Sequence, residues 1–284
     1  MKKSKFLLII ILLLSSCYIK NGVREKKMNK YEWLTDNKQS KAIIVLAHGL
    51  NIKPDKMDDW AKIFTNASVL RIGLTGHYDE SENLQNIQAI KWQEDFKEAM
   101  KLAQNKAKEK NIPLYFLGFS LGGLLGIDWQ ENNQNEQNFS KIVLIAPALK
   151  IPWYSDSLIK FVSFFSSKIS VNSRTPKDYR ANDKISLSAY KALSQIKNNL
   201  DEKGIINSNV PTLVIMDKND ELIPIKEIKA LFTDYRLNNW ILEIVDNQFA
   251  YDNYGFRHLL VDENSVGKEV WNSITAKVLR HFSL

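Results

Sequence analysis

From residue 41 onward the chain alternates between two hydrophobic rhythms. A continuous apolar run occupies Lys41–Ala47, and short, largely apolar runs occupy Ala67–Leu74, Pro113–Leu117, Lys141–Ala146, Val210–Met216 and Trp240–Val245. Their shortness and β-branched content predict strands buried on both faces, the habit of parallel sheets. The stretches between them repeat apolar residues every three or four positions, which predicts helices. Asp55–Phe64 carries Trp60, Ile63 and Phe64 on one side, and Ile90–Lys108 carries Trp92, Phe96, Met100 and Ala103. Further helices are expected over Leu121–Gln130, around Ile225–Phe232, and over Val266–His281. Strand and helix in alternation predict an α/β domain over 41–284, a mostly parallel sheet with helices on both faces.

One segment departs from this rhythm. From Leu149 to about Asn207 only helical patterns are visible, together with an aromatic patch of Trp153, Tyr154, Phe161, Phe164 and Phe165. A segment leaving the carboxyl end of a strand stands where ligands bind in open α/β sheets. It is therefore expected to be a helical cap at about 149–207, although the aromatics could instead pack on the sheet.

The first forty residues follow neither rhythm. Lys2, Lys3 and Lys5 precede an apolar run of nine residues, Phe6–Leu14. At ~1.5 Å per residue this run spans about half of a ~30 Å hydrocarbon core, which suits a secretory signal better than a membrane span. Leu14-Ser15-Ser16-Cys17 resembles the bacterial lipobox, whose cysteine is acylated and becomes the new N-terminus. Cys17 is the only cysteine and can close no intramolecular disulfide. Residues 1–17 thus read as a lipoprotein signal peptide, and Cys17 as a lipid anchor to a membrane of the bacterial cell envelope. Residues 18–40, rich in lysine and arginine, read as a flexible tether.

Charge adds little. The formal net charge is +7, from 39 basic and 32 acidic residues. Without the three signal lysines it falls to +4, and no basic stripe interleaved with aromatics argues for nucleic acid.

The chemistry lies in Gly118-Phe119-Ser120-Leu121-Gly122, a G-x-S-x-G sequence between a predicted strand and a predicted helix. Such a turn lifts the serine hydroxyl clear of the sheet, and the Leu121 N–H opening the helix points into the same space. A serine hydroxyl needs a base to take its proton, and the base needs an acid to orient it. Of the four histidines, His48 and His77 end the first two strands, and His281 lies in the last helical turn beside its dipole. His258, in the loop after the last strand, fits the order nucleophile, acid, histidine. For the acid, Asp217, Asp220 and Glu221 compete after the fifth strand, with Asp246 a further rival. Asp220 is preferred because an apolar pair and Pro224 follow it and open the next helix. No H-E-x-x-H sequence is present, and neither metal nor cofactor is required for this chemistry.

From about residue 40 the chain resembles α/β-hydrolases of the monoacylglycerol lipase and carboxylesterase group. His48-Gly49 follows the first strand, and Leu74-Thr75-Gly76-His77 looks like the family's L-P-G-H-G loop. Gly118–Gly122 looks like the nucleophile elbow, and Asp220–Pro224 like its D-x-x-V-P segment. His258–Asp262 and Val270-Trp271 are similar to the family's ending. Three departures stand out: Asp217 replaces a glycine, Tyr78 replaces the second glycine of the G-H-G loop, and the loop Asn247–Phe256 is longer.

The resemblance implies the α/β-hydrolase fold with Ser120, Asp220 and His258 as triad. It implies the Leu50 and Leu121 N–H groups as oxyanion hole and residues 149–207 as cap. The implied activity is a serine lipase or carboxylesterase acting on acylglycerols or other lipid esters. A peptidase or thioesterase on the same triad is the enzymatic alternative, and a non-catalytic surface-binding lipoprotein the alternative of another class.

Overall fold

The computed structural model describes residues 28–78, 84–133, 138–151 and 169–284. The predicted signal, Cys17, the first part of the tether and the aromatic patch from Trp153 to Phe165 lie outside the described residues.

Nine strands are described: β1 (Tyr31–Thr35), β2 (Ala42–Ala47), β3 (Ala67–Ile72), β4 (Leu114–Phe119), β5 (Lys141–Ile145), β6 (Ser170–Asn172), β7 (Lys184–Ser186), β8 (Thr212–Asp217) and β9 (Trp240–Val245). Seven of them form one sheet in the order β1-β3-β2-β4-β5-β8-β9. All neighbours pair parallel except β1, which runs antiparallel to β3. The described helices are α1 (Asp58–Ile63), α2 (Ala89–Lys110), α3 (Leu121–Asn132), α4 (Leu187–Lys203), α5 (Ile225–Asp234), α6 (Gln248–Tyr254), α7 (Glu263–Val266) and α8 (Lys268–Phe282). None of them is long and apolar enough to cross a membrane.

The period of two within each strand explains why the runs are largely apolar. On β2, Ile43, Val45 and Ala47 face a core shared with Trp92 and Phe96 of α2 and Leu124 of α3. Ala42, Ile44 and Leu46 face a second core with Trp60 of α1 and Trp271, Ile274 and Phe282 of α8. Both faces are covered, so neither tolerates a polar position, and each fully buried Ile or Leu contributes about 1.5–3 kcal/mol. Helix α3 is buried along nearly its whole length, held between the sheet and the helices α2 and α4. It lies so close to β2 that a Cβ on Gly122 would overlap the Ala47 carbonyl.

Two expectations need correction, and two others gain detail. The tether does not extend to residue 40, because Tyr31–Thr35 pairs as an edge strand. Arg71 of β3 is the cause: buried within an apolar strand, it needs carboxylates, and it takes Glu32 of β1 and Asp58 of α1, each at 2.6 Å. The segment 149–207 is not wholly helical where it is described. It contains the antiparallel pair β6–β7 and then α4, which Ser186 caps by accepting the Ala189 N–H. The long loop Asn247–Phe256 contains α6, capped by the Asn247 side chain. The helix predicted over Val266–His281 is α8, which starts at Lys268; Gly267, with a φ of 77° that an L-residue resists, ends the short α7 before it.

Candidate active site

The carboxyl ends of β2, β4, β8 and β9 bring the candidate residues together. Ser120 follows β4 directly, with φ 49° and ψ −112°, a conformation that costs a non-glycine residue about 1–3 kcal/mol. The turn is held from both sides. Its N–H donates to the Ile145 carbonyl at 2.9 Å, and its carbonyl accepts from Leu124 and Ala148, each at 3.1 Å. Gly49 lies against it: a Cβ there would stand 2.7 Å from the Phe119 ring and 3.1 Å from Ser120 Cβ. Only a glycine lets the loop after β2 come that near.

His258 Nε2 lies 3.1 Å from Ser120 Oγ, and its Nδ1 lies 2.8 Å from Asp220 Oδ2. The imidazole is buried, flanked by the Phe119 and Phe256 rings at 5.1 and 5.8 Å between centroids. The Asp220 side chain is fully buried. Its Oδ1 accepts the Leu222 and Ile223 N–H groups at 2.8 and 2.9 Å, which leaves Oδ2 for the histidine. Serine, imidazole and carboxylate thus stand in one hydrogen-bonded line.

The rival acids have other partners. Asp217 ends β8 and accepts the Asn219 and Asn247 N–H groups; burial pushes its carboxyl above the usual range. Asp246 is exposed and pairs with Lys218 and Arg257, and the Lys218 hydrogen bond holds its carboxyl below the usual range. Glu221 reaches the histidine loop by another route. It accepts the Arg257 N–H at 2.9 and 3.0 Å and the His258 N–H at 3.1 Å. Asn247 grips the same loop from the other side, donating to the Leu259 carbonyl at 2.8 Å. Neither role was legible in the sequence, because a side chain that grips main chain leaves no residue-type signal at its target.

The other histidines serve the backbone. A main-chain N–H can only donate, so the ring nitrogen facing it must be bare. His48 Nε2 accepts the Leu74 N–H at 3.1 Å, and its Nδ1–H donates to the Gly49 carbonyl at 2.8 Å. His77 Nε2 accepts the Asn51 N–H at 2.9 Å, and its Nδ1–H donates to Thr75 at 3.2 Å. Burial pushes His77 down to about 4 and His48 well below its ordinary value, so both are neutral. His281 sits in the last turn of α8 as expected, and burial lowers its pKa.

The loop that His48 and His77 brace carries Leu50. Neither the Leu50 N–H nor the Leu121 N–H, at the first position of α3, donates to an acceptor among the described residues. Two unpaired donors therefore sit one residue beyond Gly49 and one beyond Ser120.

A strained serine at a strand–helix turn, in line with a histidine and a buried aspartate at the carboxyl ends of a mostly parallel sheet, defines an α/β hydrolase. The profile of the family described as serine aminopeptidase, S33 matches residues 38–201, more than half of the chain, and the protein belongs to that family of serine hydrolases. No curated protein matches it by sequence. Several solved structures share its fold. A soluble variant of the monoglyceride lipase of Saccharomyces cerevisiae, in complex with a substrate analogue, has a TM-score of 0.67 at 13% identity, over 88% of this chain and 91% of its own. A structure from work on LipS and LipT, two metagenome-derived lipolytic enzymes, has a TM-score of 0.65 at 17% identity, over 88% and 96%. Est1E of Butyrivibrio proteoclasticus with bound ferulic acid has a TM-score of 0.58 at 15% identity, over 89% and 94%.

Proposed function

We propose that this serine hydrolase cleaves carboxylic esters, with Ser120 as nucleophile, His258 as base and Asp220 as its orienting acid. The observation that carries the proposal is the line from Ser120 Oγ through the His258 imidazole to Asp220, at 3.1 and 2.8 Å, beside two amides that find no acceptor among the described residues. In the first step His258 Nε2 takes the hydroxyl proton as Ser120 Oγ bonds to the ester carbonyl carbon. The carbonyl oxygen becomes an oxyanion held by the Leu50 and Leu121 N–H groups. Expulsion of the alcohol, protonated by His258, leaves an acyl-serine. Water deprotonated by the same histidine then attacks the acyl carbon, releasing the acid and restoring Ser120. Loss of one oxyanion donor typically costs ~10²–10³ in rate.

Acylglycerols or related lipid esters are the favoured substrates. The sequence of the insertion at 149–207, read as a cap, is rich in aromatic residues suited to apolar substrates, and acylation of Cys17 would hold the enzyme at its lipid source. The lipolytic and esterase activities of proteins sharing the fold point the same way. The family's description favours one competing reading, cleavage of a peptide bond by the same triad.

Hydrolysis of p-nitrophenyl esters from acetate to palmitate by the protein and by Ser120→Ala tests the proposal. Activity lost on substitution is expected, with the chain-length optimum separating esterase from lipase. A folded wild type that cleaves aminoacyl p-nitroanilides and no ester would replace this reading with the peptidase. Anchoring at a cell-envelope membrane is checked by metabolic labelling with palmitate, expected in the wild type and absent from Cys17→Ala.

A further inference from the structure

Asn51 is fully buried, yet no step of ester cleavage uses it. It follows Leu50 in the loop after β2, with φ 57° in the left-handed region that asparagine tolerates better than most residues. Every polar group it owns is engaged. Its N–H donates to His77 Nε2 at 2.9 Å, and its carbonyl accepts the Ala181 N–H at 3.1 Å. Its side chain pairs with the Asn182 main chain in both directions: Oδ1 accepts the N–H and Nδ2 donates to the carbonyl, each at 2.8 Å. Nδ2 also donates to Ser173 Oγ at 2.9 Å.

Three segments distant in sequence therefore meet at one residue. The loop 48–53 carries the Leu50 amide, the loop 74–77 carries His77, and residues 173–183 belong to the insertion between β5 and β8. The Asn182 side chain closes the triangle by donating to the Gly76 carbonyl at 2.8 Å. Beside it, Lys53 N–H donates to the Tyr179 carbonyl at 2.8 Å, and Ile52 bridges Arg180.

The geometry points to Asn51 as a positioning residue: it sets the aim of the Leu50 amide at the oxyanion, and it takes its own position from the insertion. Seating of the insertion and assembly of the oxyanion hole are then one event. This rests on the ester-hydrolase reading above. The peptide plane that carries the Leu50 N–H is joined to Asn51 through a single residue, and a misplacement of about 1 Å in such a donor is enough to cost ~10²-fold. The groups that hold Asn51 are spent on one another rather than on the triad, so loosening it is expected to degrade the transition state more than substrate binding.

The experiment compares p-nitrophenyl butyrate with its thionoester, in which sulfur replaces the carbonyl oxygen. The thiolate that develops is larger and a poorer hydrogen-bond acceptor, so the ester-to-thionoester rate ratio reads the contribution of the oxyanion donors separately from that of serine and histidine. Asn51→Gly keeps the left-handed backbone accessible and deletes the side chain. The expected result is a kcat lower by about 10–10²-fold with KM within about threefold, and a rate ratio reduced by the same factor as kcat. Ser173→Ala and Asn182→Ala, in the insertion, move the ratio in the same direction by less; they decide the matter if Asn51→Gly does not fold. An active wild type whose variants lose kcat with an unchanged ratio, or lose nothing, overturns the inference alone. A folded wild type inert to both esters overturns the ester-hydrolase reading, and this inference with it.

Discussion

Asp220→Asn tests which carboxylate orients His258, and the structure says why so small a change should be severe. Asp220 Oδ1 is held by two donors, the Leu222 and Ile223 N–H groups at 2.8 and 2.9 Å. Those donors require an oxygen, so the asparagine must turn its Oδ1 to them and its NH₂ toward His258 Nδ1. That nitrogen lies 2.8 Å away in the wild type and must then be bare, which places the ring proton on Nε2, facing Ser120 Oγ. A protonated Nε2 cannot accept the serine proton. The tautomer that does react is disfavoured, and the imidazolium formed in the transition state has lost its negative partner. In the serine-protease template such a change costs ~10⁴ in kcat, equivalent to about 5.4 kcal/mol at ~1.36 kcal/mol per tenfold.

Glu221→Gln is the matched control. Its carboxylate holds the Arg257 and His258 N–H groups, and the amide oxygen of glutamine still accepts from them. The expected loss is below about tenfold in kcat, with a small drop in melting temperature, because hydrogen bonds to charged groups contribute only about 1.5–3 kcal/mol and this residue is exposed. Stopped assays of p-nitrophenyl butyrate and the rate of fluorophosphonate labelling should give the same ranking. If Glu221→Gln were crippled and Asp220→Asn retained more than about a tenth of the activity, the assignment of the acid would be wrong.

Ser120→Gly should abolish hydrolysis and raise stability in urea denaturation by about 1 kcal/mol, since glycine accepts φ 49° without strain; a destabilised variant would mean the turn is not strained. Gly122→Ala should destabilise by about 2–3 kcal/mol or fail to fold, because its methyl group meets the Ala47 carbonyl rather than a flexible side chain; an unchanged melting temperature would refute the close approach of α3 to β2. His77→Gln should change the pH dependence of stability. With His77 at about 4 when folded and ~6.5 when unfolded, the unfolded chain binds more protons between those values, so the wild type is fully stable above ~6.5 and loses stability as pH falls toward 4. The loss from this group is about 2 kcal/mol by pH 5, and denaturation of wild type and variant at pH 7 and pH 5 should show the gap shift by that amount in favour of the variant.

Most of the sheet was legible because strands covered on both faces are apolar at most positions, and six largely apolar runs in the sequence appear as six strands of the structure. The seventh, β1, was missed because Tyr31–Thr35 is a half-buried edge strand that follows directly on the lysine- and arginine-rich stretch read as a linker. The signal lay elsewhere, in Arg71. A guanidinium in the middle of a fully buried strand must find carboxylates, and the chain before β2 offers Glu32. The β6–β7 pair was missed because strands of three residues are too short to display a period.

The candidate site divides along the same physical line. Ser120 was readable because a nucleophile elbow constrains its neighbours: the close approaches at Gly118 and Gly122 exclude any side chain, so the motif is a local consequence of geometry. His258 was readable by elimination among four histidines. The acid was readable locally only as a preference, from the apolar pair and Pro224 after Asp220, since Asp217, Asp220 and Glu221 fall within five residues and what separates them is what the fold brings to each. Asp217 meets the Asn219 and Asn247 amides, Glu221 the histidine loop, and Asp220 alone the imidazole. All three carboxylates bind the two loops into one unit, so their clustering answers a shared mechanical need. Asn51 extends the argument to the other wall of the site. A residue whose six hydrogen-bonding contacts reach positions 77, 173, 181 and 182 has no local signature beyond a tolerance for positive φ, yet it governs where the Leu50 donor can point. Residues that touch the reacting atoms are confined by chemistry to a few types and spacings, and a sequence displays them. Those that aim the reacting groups are confined only by the fold, and it is there that substitutions of unremarkable polar residues should prove most costly.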